Sequence, residues 1–200
     1  MKRPVVVTAA LFAILPAASA AEWTGFYAGV LGWVSSGGYS DQFSTARSNY
    51  SGFSAGAFGG ARFDVGTVLL GAELGGYLSS MQVIDQGMWA GTEFGMRAQG
   101  TARATAALDL DSFAPYVAAG VVAGQQRMIS ATPGFGRDEE WHAGLTVAAG
   151  VDFALTENVF ARGELSYATF GAATYDLGKG SFQAWPTDQF SAGVGLGFAF

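Results

Sequence analysis

Hydrophobic residues recur at every second position in eight separate stretches of this chain. The last stretch is the clearest. From Phe190 the even positions read Phe190, Ala192, Val194, Leu196, Phe198 and Phe200, while the odd ones read Ser191, Gly193, Gly195, Gly197 and Ala199. A period of two belongs to a β-strand with two unlike faces. The same alternation predicts strands over Gly25–Val34, Gly52–Phe63, Val68–Leu78, Glu93–Ala107, Phe113–Gly124, Trp141–Phe153, Val159–Thr169 and Gln189–Phe200. In the fourth, the apolar face reads Phe94, Met96, Ala98, Ala102, Ala104 and Ala106. The opposite faces carry Gly, Ser, Thr, Gln and the charges.

The connections alternate in length. Asp64–Thr67, Leu108–Ser112 and Ala154–Asn158 read as tight turns, and the segments 35–51, 79–92, 125–140 and 170–188 as long polar loops. Aromatics gather at strand ends: Phe26, Phe63, Phe113, Phe153 and Phe198 on the turn side, and Phe53, Phe94, Trp141, Tyr167 and Phe190 on the loop side. Two aromatic girdles, short turns on one side and long loops on the other describe a membrane barrel. A soluble lipocalin-type barrel alternates too, with its apolar face inward. Gly and Ala on the polar face make a poor solvent coat but fit inside a narrow barrel of eight strands. The expected fold is therefore all-β, an eight-stranded antiparallel up-and-down transmembrane β-barrel, with both termini on the turn side.

The amino terminus adds an address. Lys2 and Arg3 precede an apolar run from Val5 to Leu15, and Ala18-Ser19-Ala20 supplies a small-x-small site. This pattern predicts a signal peptide over residues 1–20, cleaved after Ala20, and a barrel domain over 21–200. The apolar run is too short to span a bilayer as a helix, which needs about 20 residues. Loss of Lys2 and Arg3 with the leader takes the formal charge from −6 to −8 and leaves Lys179 as the one lysine. An acidic chain without basic stripes gives nucleic acid nothing to hold. Cysteine is absent, so an exported protein must be held together by its own hydrogen-bonded closure.

Several stretches resemble the small eight-stranded surface-antigen barrels of Gram-negative bacteria. The likeness is to the alphaproteobacterial 25/31-kilodalton outer-membrane protein branch, an OmpA-like barrel without the periplasmic domain. Trp23-Thr24-Gly25-Phe26-Tyr27-Ala28-Gly29-Val30 is similar to that family's first strand. Pro115-Tyr116-Val117-Ala118-Ala119-Gly120 is similar to its fifth, and Gly150–Asn158 to a strand–turn signature. Arg162-Gly163-Glu164-Leu165-Ser166-Tyr167 follows, with Leu165 departing from the family's usual tyrosine. An aromatic last residue, Phe200, resembles the C-terminal assembly signal of such barrels. The resemblance implies an outer-membrane location, a lipid and lipopolysaccharide surround, and recognition of Phe190, Leu196, Phe198 and Phe200 by the barrel-assembly machinery. It also implies a surface-exposed role in envelope integrity, with host or surface ligands met by the long loops. The loops carry Tyr39, Phe43, Tyr50, Trp89, Phe135, Tyr175, Phe182 and Trp185 for such contacts.

Glu73, Glu93, Arg97, Arg103, Arg162 and Glu164 fall on the inward parity. Charges inside a closed barrel are costly unless paired. The expectation is an ionic network in which Glu73 faces Arg97 or Arg103, and Arg162 with Glu164 closes it across the lumen. Such a network fills a barrel; as a second reading it lines a narrow porin-like channel. A third reading, a lipid-modifying hydrolase, rests on His142 near the loop rim with Glu139, Glu140 and loop serines nearby in sequence. A lone histidine makes a poor metal site, and no cofactor, metal or catalytic residue is assigned. Haem capture by exposed loops enters through the resemblance alone.

Overall fold

In the computed structural model, residues 22–41, 44–84, 93–130, 136–171, 173–176 and 181–200 are described. The leader, with Ala18 and Ala20, lies outside them, as do Phe43, Trp89 and Phe135. Among the described residues there are nine strands: β1 (Gly25–Asp41), β2 (Ser44–Asp64), β3 (Val68–Ile84), β4 (Glu93–Leu108), β5 (Phe113–Ile129), β6 (Arg137–Ala154), β7 (Val159–Phe170), the short β8 (Ala173–Asp176) and β9 (Ser181–Ala199). Each neighbour pairs antiparallel in the order β1 to β7 and then β9, and β9 returns to β1. Eight strands therefore close on themselves, leaving β8 as an outer hairpin arm on β9. Closure satisfies every ladder within the sheet, which an open edge in lipid could not do.

The three tight turns stand where the alternation breaks. At Gly66 φ is 107°, a value open to glycine, and its N–H donates to Asp64 Oδ1 at 2.6 Å. The N–H of Asp111, at φ 57°, donates in the same way to Asp109 Oδ1 at 3.1 Å. In the third turn Thr156 Oγ1 accepts from Val159 N at 3.0 Å.

The long loops expected on the other side are instead mostly strand. Only residues 42–43 separate β1 from β2, β3 runs on to Ile84, and β5 and β6 extend to Ile129 and back to Arg137. Strands of 16 to 21 residues exceed the ~10 needed to cross a bilayer. Once a ribbon leaves lipid both faces tolerate polar residues, so the hydrophobic period fades while backbone pairing continues.

The lipid-facing band is the predicted one: Phe26, Val30, Val34, Leu74, Leu78, Val117, Val121, Leu145, Leu165, Val194, Leu196 and Phe200 all lie exposed on the outer face. Two corrections follow from the interior. First, it is not built of small residues alone. Trp23, Tyr27, Trp33, Phe58, Tyr77, Tyr116 and Phe160 are all buried inside. Each of several rings lies over a glycine of the adjoining strand. Trp33 is paired with Gly193 and Phe160 with Gly197. A Cβ on Gly193 would meet Trp33 Cε3 at 2.5 Å, and one on Gly197 would overlap the Phe160 ring. Large rings and bare backbone thus interlock, each ring filling the room that a glycine leaves beside it.

Second, Met96 is buried and Arg97 exposed, the reverse of the alternation. In the β4–β5 ladder Met96 pairs with Gln126 and Ala98 with Gln125, which leaves Arg97 as an extra, unpaired residue. This bulge inverts the facing of β4 beyond it.

Candidate functional site

Six buried charged side chains meet at mid-lumen: Arg62 on β2, Glu73 on β3, Arg103 on β4, Asp152 on β6, and Arg162 and Glu164 on β7. Two of the contacts follow directly from register, since Glu73 stands opposite Arg103 and Asp152 opposite Arg162. Arg162 grips Asp152 with two bonds, Nε to Oδ1 at 2.8 Å and Nη2 to Oδ2 at 3.0 Å. Arg62 Nη2 donates to the same carboxylate at 2.6 Å. The remaining nitrogen of Arg162, Nη1, reaches across the lumen to Glu73 Oε2 at 2.6 Å. Arg103 bridges Glu73 and Glu164, the latter at 2.5 and 3.0 Å. Positive and negative groups thus alternate along one chain from Arg62 to Glu164, three of each.

Aromatic groups complete the cluster. Tyr27 Oη donates to Glu73 Oε2 at 2.9 Å, and Tyr116 Oη donates to Glu164. The Arg162 guanidinium carbon lies 4.1 Å from the Phe58 ring centre and 4.8 Å from that of Tyr116. Arg62 sits 4.6 Å above Tyr27. Desolvated cations on ring faces and bidentate carboxylates offset part of the cost of burial.

Above and below, the lumen is filled in layers. Toward the turns Trp23 packs edge-on against Phe160 at 5.9 Å, and its Nε1 donates to the Asp111 carbonyl at 3.0 Å. Above the charges lies a polar layer, with Gln99 Nε2 on Gln189 Oε1 at 2.8 Å and Ser35 and Ser191 hydroxyls 2.8 Å apart. It borders a void of about 20 Å³, room for one water. At the outer mouth Tyr50, Met81, Met96, Val122, Ala168 and Phe170 form an apolar lid.

Of the residues singled out from sequence, Glu73, Arg103, Arg162 and Glu164 come together here. Arg97 does not, because its bulge turns it outward, and Glu93 is exposed as well. Arg162 and Glu164 do not pair with each other. Two residues apart on one strand, they point side by side across the lumen and engage different partners. Arg62 and Asp152 were missed, although both have inward parity, between Ala61 and Phe63 and between Val151 and Phe153. Each sits close to a turn, where a charge is ordinarily solvated. His142 is buried inside the mouth, with Nδ1 3.0 Å from the Gly171 carbonyl. The C-terminal aromatics lie on the lipid face: Phe198 and Phe200 meet edge to face at 5.2 Å, and Phe200 N donates to the Phe26 carbonyl at 2.8 Å.

The comparisons agree with this geometry. The outer membrane protein β-barrel domain matches residues 5–198. A 22 kDa outer membrane protein of Rhizobium leguminosarum bv. viciae is 30% identical over 185 residues, 92% of this chain and 82% of that one. The 25 kDa outer-membrane immunogenic protein of Brucella melitensis is 31% identical over 146 residues, 72% of this chain. That alignment spans 65% of the Brucella protein, just under two thirds of its length. Among solved structures, Neisserial surface protein A superposes with a TM-score of 0.61 at 18% identity, covering 88% of this chain and 98% of that one. Ail of Yersinia pestis, solved with the heparin analogue sucrose octasulfate, gives 0.52 at 11% identity over 88% and 99%. These two likenesses are of fold.

Proposed function

This chain belongs to the outer membrane protein β-barrel domain family, and we propose that within the outer membrane it works as a closed, non-conducting barrel. In this reading it braces the envelope and holds its outer ribbons above the surface. The observation that carries the reading is the filled lumen. Six mutually neutralised charges, an aromatic floor and a methionine–aromatic lid occupy the path that a channel would need, and eight strands leave no width for a bypass.

Partners follow from what the two faces offer. The outer band meets lipid tails, and its rim meets headgroups and lipopolysaccharide. Phe190, Leu196, Phe198 and Phe200 form the strand read by the assembly machinery, and residues 1–20 the exported leader with its Ala18–Ala20 site. Segments 35–51, 79–92, 125–140 and 170–188 carry seven carboxylates against four cations. Their acidity favours cationic or neutral surface ligands over polyanions such as the one bound by Ail.

Single-channel recording in planar bilayers tests the reading. A closed barrel gives no steady conductance. Reproducible unitary steps from wild-type protein would replace it with the narrow porin-like channel. Release of acyl chains from labelled lipopolysaccharide, lost in His142→Ala, would replace it with the hydrolase.

A further inference from the structure

We propose that the bulge at Arg97 builds a phosphate site for an outer-leaflet lipid headgroup on the outside of the barrel. The inference rests on the outer-membrane placement alone and holds whether or not the lumen conducts.

Arg97 is the extra residue between Met96 and Ala98, and the bulge turns it from the lumen to the lipid side. Register sets it near the outer girdle. Ala98 pairs with Gln125, and Gln125 with Trp141, an exposed residue of the outer girdle. An outward arginine at the bilayer midplane costs about 2–4 kcal/mol, falling to about 0–1 at the interface. Near that girdle the guanidinium is within reach of headgroup phosphates.

Around it the sheet opens into a cavity of about 140 Å³, lined by Ser80, Glu93, Gly95, Arg97, Arg127 and Ile129. Arg97 has no carboxylate partner among the described residues. Glu139 engages Arg127 through Nε at 2.6 Å, which leaves the two terminal nitrogens of Arg127 without a carboxylate among the described residues. Glu93 is the group that opposes an anion here. It lines the same cavity, opposite Ile129, while Arg127 stands opposite Gly95, between Glu93 and Arg97 on the ladder. The notch thus presents two forked donors to an anion against the one carboxylate of Glu93. Arginine forks match phosphate oxygens two at a time, and bulges recur where a strand re-aims a side chain for a task.

The test uses the full barrel in phosphatidylcholine nanodiscs, titrated with diphosphoryl lipid A and with dephosphorylated lipid A of the same acyl chains. Wild-type protein should bind the phosphorylated form at least about fivefold more tightly, the effect of one cation near a charged surface. Arg97→Gln should remove that preference, and Glu93→Gln should preserve or strengthen it. Equal affinity of wild-type protein for the two lipids would overturn the proposal without any mutant having to fold. So would weaker binding in Glu93→Gln, which points to a cation-bridged site. Millimolar inorganic phosphate that displaces lipid A completely would show an unselective anion site in place of a headgroup site.

Discussion

Asp152 and Arg162 stand opposite one another on β6 and β7, joined by two parallel bonds of 2.8 and 3.0 Å, and the same guanidinium reaches on to Glu73 with its third nitrogen. One arginine therefore ties a local strand pair to the far wall. Every carboxylate of the cluster answers to at least one arginine, and Glu73 and Asp152 each answer to two.

Breaking that chain should be costly. Asp152→Leu leaves Arg62 and Arg162 without their shared carboxylate, and Glu164→Leu leaves Arg103 with Glu73 alone. Removal of one partner from a buried ion pair costs about 3–5 kcal/mol. Arg97→Gln, on the outer face, should stay within about ±0.5 kcal/mol. Denaturant unfolding in detergent, followed by tryptophan fluorescence, separates the two groups; equal midpoints for all three variants would remove the cluster from the account of stability.

The ring-over-glycine contacts make a sharper prediction. Gly197→Ala places a methyl into the Phe160 ring and should cost about 1–3 kcal/mol as overpacking. Phe160→Ala should cost about 3–5 kcal/mol through the void it leaves. Combined, the two changes should cost less than their sum, since the added methyl no longer meets a ring. Strict additivity in the same unfolding assay would show that the two residues do not share a site.

Cutting the charged layer tests whether it, and not the floor or the lid alone, seals the lumen. Wild-type protein is expected to show no steady conductance, whereas Arg103→Ala combined with Glu164→Ala removes two long side chains from one layer and should produce small unitary steps. Silence from the double variant, verified as folded by its heat-shifted electrophoretic mobility, would place the seal in the aromatic floor or the methionine lid.

Phe200→Ser keeps the backbone bond from Phe200 to the Phe26 carbonyl and alters only a lipid-facing side chain. The purified variant should refold in detergent nearly as well as wild type, while its yield in outer-membrane fractions falls several-fold. Equal losses in both assays would make Phe200 a stability element and not an assembly signal.

Much of this was legible in the chain because it is local. Alternation from Phe190 to Phe200 reports a strand with one apolar face wherever it is placed. The turns at Gly66 and Asp111 carry their own short-range bonds, and the aromatics at strand ends mark the two interfaces. Strand number, the lipid face, the three tight turns and the inward placement of Glu73, Arg103, Arg162 and Glu164 all follow from such short-range rules. The outer ribbons were harder, because a strand with water on both sides has no hydrophobic period.

What the linear order did not contain is anything that depends on which strand stands beside, or across from, which residue. Tyr27, Trp33 and Phe160 find room inside because register sets each beside a glycine. Arg62 and Asp152 become partners only when closure brings β2 across to β6. Arg97 read as inward until one unpaired residue in β4 turned it over. Periodicity is a property of a single strand and can be counted along it. Partnership across a lumen is set by register, shear and bulges, which arise only when all eight strands have closed.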